Sequence, residues 1–225
     1  MVVRHKSFDH LGGFYHYRVH DVKTKELCAN GYSSLKNYLN AMFSNCPNEF
    51  FDKGPRSSAL KFKISNLDIK KTKNHEVCKL AENGLNENFE RYKTNHSRVQ
   101  VFMLENDDKT VAMEVPLWLF PNEFKYFNEL FKSNWPLTGH IDVLRVEDDK
   151  IWVWDYKPNA YLEKFATTQV YFYALMLSRR IGVDLRDFRC GYFDENHAFM
   201  FKPVENIKIE KELTDLFGFV KNKFI

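Results

Sequence analysis

Residues 139–157, Gly-His-Ile-Asp-Val-Leu-Arg-Val-Glu-Asp-Asp-Lys-Ile-Trp-Val-Trp-Asp-Tyr-Lys, admit few folds. Two alternating, β-prone runs, 139–146 and 151–157, flank the polar group Glu147-Asp148-Asp149-Lys150, which is the pattern of a β-hairpin. With Asp148-Asp149 as the turn, Asp142 stands opposite Asp155. Period-two alternation puts both carboxylates and Lys157 on one face, and Ile141, Val143, Trp152, Trp154 and Tyr156 on the other. Like charges directly opposite on a sheet repel. Facing aspartates therefore call for a cation between them, and carboxylate oxygens are what hold hard divalent ions. The bland alternative is a solvated face with its register slipped by one residue.

The rest of the chain supplies partners for that hairpin. Residues 14–30 read as two short strands ending at Asn30-Gly31, and Ser33 or Ser34 caps a helix over 35–45. Residues 47–55 are turn-like. Residues 73–92 carry Val77, Leu80, Ala81, Leu85, Phe89 and Tyr92 at helical spacing, with His75 at the edge of the stripe. Residues 99–105 and 110–119 alternate around Asn106-Asp107-Asp108-Lys109 and predict a second hairpin, with Glu114 inside a strand against its propensity. A short helix is expected over 122–133. Pro158 ends the strand after Lys157. A long helix over about 163–180 places Gln169 and Tyr173 on one face, one turn apart. Residues 187–193 and 197–202 form a further hairpin, and a closing helix is expected over 206–223. The order predicts an α/β (α+β) fold, a mixed central sheet flanked by helices.

Composition limits the setting. The chain has 225 residues and is 44% hydrophobic, enough for one large core or a core with an appended lobe. Without an 18-residue apolar run or a signal-peptide pattern, it reads as a soluble intracellular protein with no membrane partner. The four cysteines are scattered without a Cys-x-x-Cys pair, as expected of reduced core residues. Charge is uneven: residues 1–70 hold eleven Lys/Arg against six Asp/Glu, and 71–225 hold 22 against 24. A basic N-terminal accessory lobe (1–70) beside an acidic core (71–225) suits a polyanionic substrate, although a solvated basic surface has the same composition.

Gly139-His140-Ile141-Asp142, then Asp155-Tyr156-Lys157, then Gln169-x-x-x-Tyr173, resemble the PD-(D/E)xK nuclease superfamily, and within it the RecB-like exonuclease branch. Glu114, in Met113-Glu114-Val115-Pro116-Leu117, resembles the strand that precedes the Gly-x-x-Asp motif, and His75 sits where many members contribute an extra metal ligand. The similarity covers roughly residues 75–203. It implies a restriction-endonuclease-like core and a metal-dependent deoxyribonuclease acting on single-stranded DNA or DNA ends, leaving a 5′-phosphate and a 3′-hydroxyl. By the same resemblance Asp142, Asp155 and Glu114, with His75 and the Tyr156 carbonyl, would hold Mg²⁺ or Mn²⁺. Lys157 would act as the catalytic cation, and Gln169 and Tyr173 would position the strand. The cysteine spacing does not match members with an iron–sulfur cluster, so none is expected. No helicase motif is present, so unwinding would need a helicase or recombination partner. Two alternatives remain open: an RNA endonuclease with the same site, as in viral cap-snatching enzymes, and a non-cutting nucleic-acid-binding subunit.

Overall fold

The computed structural model describes residues 2–11 and 13–210. The chain opens with β1 (Val3–His10), β2 (Gly13–His20), α1 (Asp21–Leu27), α2 (Ser33–Asn45) and α3 (Asn48–Lys53). Next come β3 (Lys63–Ile64), β4 (Lys70–Lys73), α4 (Glu76–Glu87), α5 (Asn95–Asn106), β5 (Thr110–Leu119) and α6 (Phe127–Phe131). The last stretch comprises β6 (Leu137–Glu147), β7 (Lys150–Tyr156), α7 (Ala166–Ile181), β8 (Phe188–Phe193), β9 (His197–Phe201) and β10 (Ile209–Glu210).

Eight strands form one mixed sheet in the order β1-β2-β5-β6-β7-β8-β9-β4, and β3 pairs separately with β10. Every neighbouring pair of the large sheet is antiparallel except β7 and β8, which α7 connects. Helices cover both faces. On one, Val170, Ala174 and Leu177 of α7 pack with Leu144, Val146, Ile151 and Val153, together with Leu35 and Leu39 of α2. On the other, Val77 and Ala81 of α4 and Met103 of α5 pack with Val143, Trp154 and Tyr156. The Trp154 and Tyr156 stripe is therefore core beneath helices. Gly191 on β8 makes room for it, since a Cβ there would stand 2.3 Å from the Trp154 ring.

The central hairpin has the expected register, with Glu147 opposite Lys150, Val146 opposite Ile151 and Val143 opposite Trp154. Ile141 departs from expectation, packing in the larger core and not beside Val143. The change of face falls at the level of Glu114 on β5, which has a left-handed φ of 51° between the pairs Met113–Val143 and Val115–Ile141, in unbroken register.

Several expectations are corrected. Residues 99–105 are the body of α5, not a strand, and 47–55 contain α3. The helix expected over 73–92 is shortened to α4, preceded by β4. At the N-terminus, 14–30 hold one strand and α1, with β1 before them. The closing helix over 206–223 does not begin at 206, because Ile209–Glu210 is a strand, and its remainder lies outside the described residues. Residues 1–70 add β1 and β2 to the large sheet through Arg18–Met113 and Val19–Ala112. Among the described residues no helix is long and apolar enough to cross a membrane. Cys28, Cys78 and Cys190 are free and buried, and Cys46 is free and half-buried.

Candidate functional site

The ladder between β6 and β7 runs from the turn to Val143–Trp154. One residue further, the Tyr156 backbone N–H donates to the Asp142 carboxylate at 3.0 Å. Asp142 and Asp155 thus flank the point where the two strands part. Across β6, Glu114 falls between the β5 residues paired with Val143 and Ile141, which is the level of Asp142. Three adjacent strands therefore each bring one carboxylate to a cleft of about 280 Å³, which Lys157, His96, Gln169 and Tyr173 also line. A left-handed non-glycine residue costs on the order of 1–3 kcal/mol and persists where surroundings over-determine it. At Glu114 that conformation accompanies delivery of a carboxylate to the cleft.

The side chains are held by named contacts. Asp155 is 1% exposed. Its Oδ2 lies 2.7 Å from the Lys157 ammonium, although no well-directed hydrogen bond reaches that oxygen, and its Oδ1 is a long 3.4 Å from Gln169 Nε2. Gln169 also donates to the Tyr173 hydroxyl at 2.7 Å, so the pair spaced by one turn of α7 acts as a unit. Tyr173 packs against Gly139, where a Cβ would approach its ring to 2.4 Å. Glu114 accepts from Gln100 Nε2 at 2.7 Å. The N-terminal segment builds the opposite wall: Tyr15 stacks on His140 with centroids 3.7 Å apart, and His140 Nε2 lies 2.9 Å from His10 Nδ1. Arg56, also on the cleft, donates to the Leu11 carbonyl at 2.6 Å.

Not every expected residue is brought in. His75 caps α4, its Nδ1 accepting from Val77 N, and its ring lies near Trp154 on the far face of β7. It does not line the cleft. Two histidines do, His140 on the wall and His96 on α5, and it is His96 whose Nε2 lies 3.8 Å from Asp142 Oδ2. Tyr156 contributes its backbone N–H, and its ring belongs to the core. Sequence reasoning missed His96, Gln100, Tyr15 and Arg56. One signal for the first two existed. Thr94, whose side chain accepts from Ser97 N, is a helix N-cap, and it sets His96 and Gln100 one turn apart on a single face.

Electrostatics here are unbalanced. Burial pushes the Glu114 carboxyl up to about 7, the Gln100 hydrogen bond opposing and the Asp155 charge adding. Burial, then the charges of Asp155 and Glu114, hold Asp142 well above the usual carboxylate range. For Lys157 burial disfavours the ammonium, but Asp155 and Asp142 outweigh it and raise the pKa above its ordinary value. Burial lowers the His96 pKa from its ordinary value, with the Asp155 charge opposing. Among the described residues Lys157 is the one ammonium that lines the cleft beside these three carboxyls, and a bound cation would add counter-charge. On donor chemistry the residues fit a hard divalent ion, since the carboxylates of Asp142 and Asp155 offer only oxygen ligands. Although three carboxyls line the cleft, among the described residues no three His, Cys, Asp or Glu side chains are close enough together to hold one metal ion between them. The protein share of such a site is then Asp142 and Asp155, and Mg²⁺ commonly takes one or two carboxylates and fills its shell with water and substrate phosphate.

A pH effect follows. Carboxyls whose folded pKa is raised favour the folded state most below their unfolded values, and that contribution is lost as pH rises through the folded ones. At about 1.4 kcal/mol per pH unit, moving Glu114 from 4.5 to about 7 amounts to a loss of roughly 3 kcal/mol. In EDTA the thermal midpoint is expected to fall between pH 5 and pH 7.5 (roughly the interval between the two values), and Mn²⁺ should restore it. A midpoint that is flat in EDTA over that interval would exclude this charge distribution.

Compared with known proteins, the chain matches no family profile, no curated protein and no solved structure.

Proposed function

We propose that the chain is a divalent-metal-dependent deoxyribonuclease with a restriction-endonuclease-like core, acting on single-stranded DNA or DNA ends. The observation that carries this reading is the convergence of Glu114, Asp142 and Asp155 from three neighbouring strands on a cleft shared with Lys157 and the Gln169–Tyr173 pair. Asp142 and Asp155 would hold the Mg²⁺ or Mn²⁺ ion. That ion supplies Lewis acidity, which acidifies water and offsets negative charge on the phosphoryl oxygens.

The remaining roles belong to the chain. Lys157, kept protonated by its carboxylate neighbours, serves as a fixed cation toward the phosphate and not as a base. Gln169 orients Asp155 and is itself oriented by the Tyr173 hydroxyl. Glu114, braced by Gln100, adds negative charge beside Asp142 and so strengthens the call for a cation. Arg56, whose guanidinium lies over the Tyr15 ring at the cleft wall, would add positive charge toward a phosphate.

Digestion of 5′- and 3′-labelled single strands, duplexes and circles with Mn²⁺ is the test. Linear single strands should be cut to 5′-phosphate products, with EDTA abolishing the reaction. No cleavage of any DNA in Mn²⁺ or Mg²⁺ would overturn the assignment. The presence of His96 beside Asp142 favours a second reading, since a His, Glu, Asp and Lys set resembles that of cap-snatching RNA endonucleases. Matched RNA oligonucleotides in the same assay decide between the two.

A further inference from the structure

A second groove, of about 320 Å³, lies between β2 and the α4–α5 connection, lined by His16, Arg18, Arg91, Tyr92, Lys93 and Ser97 among others. It comes within one residue of the cleft along three segments of chain. Tyr15, His96 and Glu114 line the cleft, and their chain neighbours His16, Ser97 and Met113 line the groove. β2 pairs with β5 only at Arg18–Met113 and Val19–Ala112, so its residues from Tyr17 back to Gly13 have no ladder partner on β5. Cleft and groove flank that fork.

The charge of the groove is one-sided. Arg18 and Arg91 both lie over the Tyr92 ring, with Cζ atoms 5.7 and 5.4 Å from its centroid, and the exposed Lys93 follows in the chain. Arg91 is balanced by Glu105, whose two carboxylate oxygens accept from it at 2.9 and 3.2 Å. Arg18 is not balanced: half-buried, it meets the Tyr92 hydroxyl at a long 3.4 Å and, among the described residues, no carboxylate within ion-pair distance. Lys93 has no such partner either, and no acidic side chain among the described residues lines the groove. A guanidinium carries five N–H donors in a rigid fork, so most of those on Arg18 are free to meet a ligand. Like charges gathered on one wall call for an anion, as the carboxyls of the cleft call for a cation.

We propose that this groove binds the phosphate backbone of a nucleic-acid strand, and that the strand whose scissile phosphate sits at Asp142 and Asp155 continues past His96 toward Arg18 and Lys93. The path rests on the nuclease reading and deepens it, while the preference for an anion stands on the groove's own charges. Planar guanidiniums suit phosphate oxygens, which they hold through paired N–H donors. An acidic peptide offers charge of the same sign, but a strand also presents a phosphodiester to the neighbouring cleft.

Binding of a labelled single strand of about 12 nucleotides to the full chain in Ca²⁺, across a salt series, is the test. Arg18→Gln and Lys93→Gln should each weaken binding by roughly threefold to tenfold at low salt and reduce the slope of log K against log salt by about 0.7. Lys93 is exposed, so its variant reads charge without loss of packing. Lys202→Gln, at an exposed lysine just after β9 on the far side of the sheet from β2, should leave affinity and slope unchanged. Slopes unchanged in both groove variants, or no binding by the native chain, overturn the groove. An equal fall in Lys202→Gln would mean diffuse attraction and overturn it too. So would displacement of the strand by polyglutamate of equal length at equal concentration, which would mark a site for acidic peptides. A slope that falls in both variants of a chain that cuts no nucleic acid would keep the groove and remove the nuclease. Cleavage with unchanged slopes would do the reverse.

Discussion

Asp155→Asn protein should lose metal-dependent cleavage by at least about 10²–10³-fold, while its metal-free stability becomes less dependent on pH. Asp155 supplies one of the two carboxylates that flank the end of the hairpin ladder, and its Oδ2 lies 2.7 Å from the Lys157 ammonium. Its charge also helps to push Glu114 and Asp142 upward. Removing that charge lets both carboxyls titrate nearer their ordinary range, so the fall in midpoint between pH 5 and pH 7.5 (roughly) should shrink. Lys157→Met removes the positive group instead and leaves the three carboxyls facing one another, so the fall should steepen. Both variants are inactive in the proposed reaction, yet they move the pH slope in opposite directions. Thermal melts across pH in EDTA, with cleavage measured on the same preparations, read both effects. If the two variants shift the slope in the same direction, the carboxylate cluster is not the source of the pH dependence.

The parts of this site that were legible in sequence are those governed by local rules. A two-residue turn fixes hairpin register, so the pairs from Glu147–Lys150 to Val143–Trp154 followed from Asp148-Asp149 alone, and Asp142 and Asp155 lie just past the last of them. The apolar stripe of α7 fixed the helix that carries Gln169 and Tyr173. The period failed at α5. Val99, Gln100, Val101, Phe102, Met103 and Leu104 are all buried, because the helix packs against both α4 and the sheet. A helix covered on most sides has no single apolar face, and its Val-Gln-Val-Phe run imitates strand alternation. Losing α5 as a helix meant losing His96 and Gln100. His75 fails for a different reason. An imidazole early in a helix looks like a ligand, but its Nδ1 is used to cap the backbone, as His20 does for α1. The wall formed by Tyr15 and Arg56 needed β1 and β2 to be placed at the sheet edge. Nothing local encodes that long-range pairing.

The largest effect on stability is expected far from the cleft, at Asp107. Arg145 on β6 has no exposed surface, and its Nε lies 2.9 Å from the carboxylate of Asp107, itself 3% exposed. Glu76 of α4 and Glu147 approach the same guanidinium at 3.3 and 3.4 Å, and Lys109 joins those two glutamates at 3.0 and 2.7 Å. Thr110 donates its hydroxyl to Asp107 as well. Asp107 is also the C-cap of α5, so one ion pair ties the end of that helix to the strand behind it. Truncating one partner of a buried pair costs about 3–5 kcal/mol when the other charge is left alone; here Glu76 and Glu147 still face the Arg145 guanidinium, so the low end of about 3 kcal/mol is expected. Asp107→Ala should therefore lower the thermal midpoint by about 10 °C for a chain of this length. Arg145→Met added to Asp107→Ala removes the buried guanidinium that has lost its closest carboxylate and should recover part of that loss, a coupling that a double-mutant cycle in urea reads directly. Because α5 carries His96 and Gln100 to the cleft, the destabilised protein should also populate open forms in which that wall has moved. Below its melting transition the folded fraction should still cut at the native rate. A loss of cleavage in fully folded Asp107→Ala protein would instead mean that the pair sets the geometry of the cleft through α5.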